Sequence, residues 1–231
     1  MALIQRMRVA FMFYGPQQPE LARRMIASVR THMPSARVVQ LTDRRTRALE
    51  EVDEVRRIDG ANYAYLLYKH MATLPPPFIR LDYDMLVQGD LSHVLDDTDI
   101  ALNTHSDPIV TKSDWGKKYP FAACVWAAKN HGQEFAESFR GIHIISGRDD
   151  WLGVVPSINE AIEVFPYRIK RLDGQIYNYT PKNRDDRPKE ALVIHYKGRR
   201  KKFMLEKGQE HMVKADEKRI SGAVRGFQFE T

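Results

Sequence analysis

The chain has 231 residues, 43% of them hydrophobic and 29% charged, which excludes a disordered or fibrous polymer and predicts one domain with a core of its own. Its one cysteine, Cys124, cannot form an internal disulfide, so a disulfide scaffold is excluded and a reducing compartment is expected. The net charge of +6 is concentrated: residues 1–181 carry 22 Lys and Arg against 22 Asp and Glu, whereas residues 182–231 carry 14 against 8, which suits an anionic ligand or a solvated basic tail.

No apolar stretch reaches the ~20 residues of a bilayer span. The opening MALIQRMRVAFMFYG has no long apolar segment before a small-residue cleavage site, so a cytoplasmic protein is expected. Residues 8–14 read as a buried strand that Gly15-Pro16 ends. Leu21, Met25, Ile26 and Val29 recur at helical spacing up to Met33-Pro34. Residues 36–42 and 54–58 follow as strands, and residues 62–74 as a helix whose face carries Tyr65, Leu66, Lys69 and Met71. After three prolines, FIRLDYDMLV over residues 78–87 is the clearest strand of the chain. Residues 100–104 and 121–128 read as further strands, residues 131–139 and 157–164 as helices, and residues 107–118 and 181–189 as loops. Alternating strands and helices predict an α/β fold with a mainly parallel sheet flanked by helices.

In such a sheet, ligands bind beyond the carboxyl ends of the strands. Asp82 and Asp84 fall there, two carboxylates at i and i+2 that are costly to bury unless a cation compensates them. Either they end the strand and pair with Arg80, or they hold an oxygen-loving divalent ion such as Mn²⁺ or Mg²⁺. Far downstream, LVIHYKGRRKKF places His195, Gly198 and Lys201 in an H-x-x-G-x-x-K pattern. Imidazole can ligate Mn²⁺, a glycine allows close backbone approach, and a lysine offsets phosphate charge.

The segment RLDYDMLVQGDLSHVL resembles the central line of GT-A glycosyltransferases, L-D-x-D-x-x-V-x-G-D-L, with Leu81, Asp82, Asp84, Val87, Gly89, Asp90 and Leu91 matching. The His195, Gly198, Lys201 pattern is similar to the closing motif of family 8 glycosyltransferases. The resemblance spans most of residues 8–203 and implies a GT-A, Rossmann-like domain over residues 1–203; the basic extension over residues 204–231 is expected to pack on or near the donor site. It implies that Asp82, Asp84 and His195 hold the metal, that Asp82 also reaches the donor ribose, and that Gly198 and Lys201 contact the diphosphate. It further implies a nucleotide-sugar donor, a UDP-sugar above all, and transfer with retention. In FAACVWAAK, Ala122, Ala123 and Cys124 stand where the family usually shows an asparagine, a small residue and a glycine. The family's W-x-x-D-Q line has no full counterpart. Asp150, and after it Asp149, are the nearest carboxylates for the reacting carbon, and Lys69 is a further candidate for the sugar. Tyr14 and Asp43, at the ends of the first two strands, are candidates for stacking on the nucleobase and accepting a hydrogen bond from it.

Two other readings compete. A nucleotidyltransferase shares this fold and metal chemistry, but Gly15-Pro16-Gln17-Gln18 is a poor substitute for its glycine-rich basic loop. A nucleic-acid-binding module would use the basic tail and leave the paired aspartates unexplained. The acceptor is not identified by the sequence, and a polyanion such as modified DNA is among its candidates.

Overall fold

The computed structural model describes residues 6–60, 62–147 and 153–205. Arg8–Met12 forms β1, buried at every position after its first, since a central parallel strand is covered on both faces. Pro19–His32 follows as α1, with proline in its first turn, where no backbone N–H is needed, and Leu21, Met25, Ile26 and Val29 on one buried stripe. The chain continues through β2 (Arg37–Thr42), β3 (Glu54–Arg57), α2 (Tyr63–Thr73), β4 (Phe78–Asp82), β5 (Met85–Val87), β6 (Ile100–Thr104), α3 (Pro108–Lys112), α4 (Asp114–Lys118) and β7 (Phe121–Ala128). Then come α5 (Gly132–Ile145), α6 (Val154–Val164), β8 (Ile169–Leu172), α7 (Gly174–Tyr177), β9 (Val193–His195) and α8 (Lys201–Leu205).

Seven strands form one sheet in the order β3-β2-β1-β4-β7-β6-β8. Its pairings are parallel except that β7 runs antiparallel to both β4 and β6. Alternate β1 residues feed two apolar layers. Val9 and Phe11 pack with α1 on one face, while Ala10 and Met12 pack with α2, α5 and α6 on the other. In the second layer Trp126 meets Phe135 and Phe139 edge-on, with ring centroids 5.1 and 6.2 Å apart. The strand order turns back between β1 and β4, and the carboxyl ends of those two strands therefore border a crevice.

The strand expected over residues 78–87 is two strands. β4 ends at Asp82, Tyr83-Asp84 make a turn, and β5 leaves the main sheet to pair antiparallel with β9. An apolar run reads the same whether one strand or two carries it. The break falls at the two carboxylates, where the Asp84 carbonyl accepts from Tyr196 N at 3.0 Å. The loop expected over residues 107–118 is largely the short helices α3 and α4, because its polar residues serve as caps: the Asp107 carboxylate accepts from Ile109 N and Ser113 Oγ from Gly116 N. The extension expected over residues 204–231 lies outside the described residues beyond Leu205.

Candidate active site

A cleft of about 580 Å³ opens at the carboxyl ends of β1 and β4, lined among others by Tyr14, Asp82, Asp84, Cys124, His195, Gly198 and Lys201. β4 delivers Asp82 and the following turn delivers Asp84, while β9, paired with β5 in register Met85 to His195, carries the histidine to the same place. His195 Nε2 stands 3.2 Å from Asp84 Oδ1 and 3.5 Å from Asp82 Oδ2. Lys201 Nζ, at the start of α8, lies 3.2 Å from Asp84 Oδ2. Residues 113 positions apart in sequence thus meet because the β5–β9 pair folds the end of the domain back onto the main sheet.

Each group is held from behind. Arg80, fully buried in the middle of β4, donates to the other oxygen of Asp82, to the Tyr63 hydroxyl at 2.7 Å and to the Ala123 carbonyl. That clamp leaves Asp82 Oδ2 directed at His195. Asn178 Nδ2 donates to the Thr104 carbonyl at 3.2 Å, so its Oδ1 is free to accept from His195 Nδ1 at 2.9 Å. The imidazole is thereby oriented with Nε2 toward the carboxylates, the arrangement a metal-ligating histidine needs. Tyr83 accepts from Lys201 Nζ at 2.5 Å and donates to Gln17.

The electrostatics follow from burial and pairing. Burial alone would push the Asp84 carboxyl up, but His195 and Lys201 hold it below the usual carboxylate range. Burial would likewise push His195 down, and the Asp84 carboxylate outweighs it, raising the imidazole from 6.5 to about 9. The stability this imidazolium lends is whole below 6.5 and is lost as pH rises through about 9. His195 Nε2 stands from a carboxylate oxygen of each aspartate, at 3.2 and 3.5 Å, at nearly the spacing of adjacent ligands on one small ion bound at roughly 2.1 Å. Two carboxylates and an imidazole, with a cation replacing the proton between them, are a donor set that fits Mn²⁺ or Mg²⁺.

Gly198 is at φ +55 on the cleft wall, a left-handed conformation that favours glycine, and Tyr14 lines the rim. Asp43 lines a neighbouring hollow of about 520 Å³ that shares Gln17 with the cleft, but its Oδ1 already accepts from Arg45 N and Thr46 N at 3.1 and 2.7 Å. Lys69 is not brought to the cleft: its ammonium lies over the Tyr65 and Tyr68 rings, 5.8 and 5.9 Å from their centroids. Asp149 and Asp150 fall outside the described residues. Tyr83, Gln17 and Asn178 are cleft or supporting residues that sequence reading passes over. Tyr83 was hidden as the variable position of D-x-D, and Asn178 closes the LDGQIYN segment with no signal of its contact to His195.

No protein-family model and no curated protein sequence matches the chain. Solved structures do match. The glycosyltransferase GlyE of Streptococcus pneumoniae TIGR4 superposes with a TM-score of 0.58 at 16% identity, over 84% of this chain and 55% of that one. The galactosyltransferase LgtC, in complex with donor and acceptor sugar analogs, gives 0.52 at 14% identity over 83% and 87% of the two chains. A glycosyltransferase involved in the glycosylation of the major capsid of PBCV-1 gives 0.51 at 14% identity, over 90% and 99%. The chain has the GT-A glycosyltransferase fold. Within that GT-A fold it spans about half the length of GlyE, 55%, and nearly all of the PBCV-1 enzyme. Val155, in the first turn of α6, also lines the cleft.

Proposed function

We propose that the chain is a metal-dependent glycosyltransferase that moves a sugar, with retention, from a UDP-sugar to an acceptor. The observation that carries this reading is the convergence of Asp82, Asp84 and His195 beside Lys201 at the crevice of a GT-A sheet. Asp82, Asp84 and His195 would hold the divalent ion, Mn²⁺ or Mg²⁺, which when bound supplies a Lewis acid that neutralises charge on the departing diphosphate. Lys201 exchanges its contact with Asp84 for a phosphate oxygen, and Gly198 lets the backbone come close to the same group. Arg80 holds Asp82 Oδ1 and leaves Oδ2 for the ion, and Asn178 keeps His195 Nε2 inward, so neither side chain would need to reorganise as the donor binds. Tyr14 offers a ring face to the nucleobase. Asp150 or Asp149, shortly before α6, is the group proposed to stand near the reacting carbon.

The acceptor is read from charge alone. Arg199, Arg200 and Lys202 flank Lys201 at the cleft end of the chain, which favours an anionic acceptor such as nucleic acid.

Calorimetry with UDP tests the site. Binding in the presence of Mn²⁺ should be at least about tenfold tighter than in EDTA, since the diphosphate otherwise faces two carboxylates with no metal ion to bridge the like charges. Equal affinity in both buffers would remove the metal from this account.

A further inference from the structure

Cys124 is the only cysteine of the chain, and it stands where the resembling family carries a glycine. The residue lines the same cleft and is 8% exposed. One ligand atom each from Cys124, Asp82 and His195 lies within 4.8 Å of the other two. That span suits a single ion held at roughly 2.0–2.3 Å by oxygen, nitrogen and sulfur, for which two ligands on opposite sides are somewhat over 4 Å apart.

The backbone accounts for the placement. Along β6 and β7 the register shifts: Leu102 faces Trp126 while Thr104 faces Phe121, so β7 carries extra residues between them. Such bulges re-aim side chains beside active sites. This one is pinned on both sides, by Arg80 donating to the Ala123 carbonyl and by Val125 N donating to Asn103 Oδ1 at 2.7 Å. Arg80 thus fixes Asp82 and the Cys124 segment with one guanidinium.

We propose that Cys124 is an inner-sphere ligand of the metal site, making it a mixed oxygen, nitrogen and sulfur centre that favours thiophilic divalent cations of the zinc and cobalt class over Mn²⁺. The inference rests on the metal-bearing cleft proposed above. The thiol proton leaves to buffer as the metal–sulfur bond forms, and no electron is transferred. A site of two carboxylates and an imidazole ranks divalent ions by the general affinity order alone, whereas a thiolate adds a selective bond to the softer ones.

Cobalt titration of the full chain with UDP tests this. With Cys124 as ligand, Co²⁺ binding produces a near-ultraviolet thiolate-to-cobalt charge-transfer band beside the weak visible bands, and only Cys124 can produce it. Cys124→Ser and Cys124→Ala should each lose that band, keep the visible bands, and narrow the Zn²⁺ over Mn²⁺ preference measured by calorimetry by about tenfold. Using both variants guards against one that misfolds. Visible bands without a charge-transfer band in the wild-type protein would overturn the ligand while leaving the three-residue site intact. No cobalt bands and no heat of binding would overturn both the ligand and the metal reading on which it rests.

Discussion

Asp84→Asn should keep the fold and lose about 10³-fold in turnover, a barrier increase of ~4 kcal/mol. The amide has the shape of the carboxylate but not its charge, so it is a poor ligand for a hard cation and a poor partner for Lys201. A second readout follows from the same contact. Asp84 is the larger reason that His195 is raised to about 9. With that carboxylate gone, burial acts with less opposition, and the imidazole resonance followed by NMR should titrate well below 9, at or under its ordinary 6.5. Activity within about threefold of wild type, ~0.65 kcal/mol, would mean that Asp84 is not a ligand. An unmoved His195 titration would mean that the two side chains do not interact in solution.

Arg80→Met should be the most damaging single change to stability away from the apolar core. The guanidinium is buried with only 1% of its side chain exposed, and it joins Asp82, the Tyr63 hydroxyl and the Ala123 carbonyl. Methionine fills similar volume but leaves a carboxylate only 12% exposed and a buried-strand carbonyl without their donor. Removing one partner of a buried pair costs about 3–5 kcal/mol. For a chain of this length that lowers Tm by roughly 10 °C. Arg80→Met combined with Asp82→Asn should recover much of the loss, because no uncompensated charge remains. A Tm within about 2 °C of wild type for the single variant would show that water reaches Asp82 and that the clamp contributes little.

Much of the site was legible because strand-end chemistry leaves short-range patterns. Asp82 and Asp84 are two apart, and His195, Gly198 and Lys201 are spaced by three, so each motif is complete within seven residues. What sequence could not supply is whatever depends on pairing between distant segments. The break after Asp82 is invisible because Met85, Leu86 and Val87 are as apolar in a second small sheet as they would be in the first. Arg80 reads as an alternate partner of Asp82, which it is, but its simultaneous grip on β7 depends on the β4–β7 pairing. Cys124 reads as one residue of an apolar run until the shifted register of β7 turns it toward the cleft. Lys69 shows the converse: helical spacing puts it on one face with Tyr65, and its ammonium lies over that ring, a contact the sequence alone does not announce.

The most direct measurement of the central claim needs no acceptor. The purified chain is incubated with a panel of UDP-sugars and Mn²⁺, and mass spectrometry follows slow donor hydrolysis to UDP and free sugar. At least one sugar should be released faster than in buffer, the release should stop in EDTA, and Asp84→Asn should abolish it. A panel in which no UDP-sugar is bound or hydrolysed above the Asp84→Asn background would contradict the assignment of this cleft to a nucleotide-sugar donor.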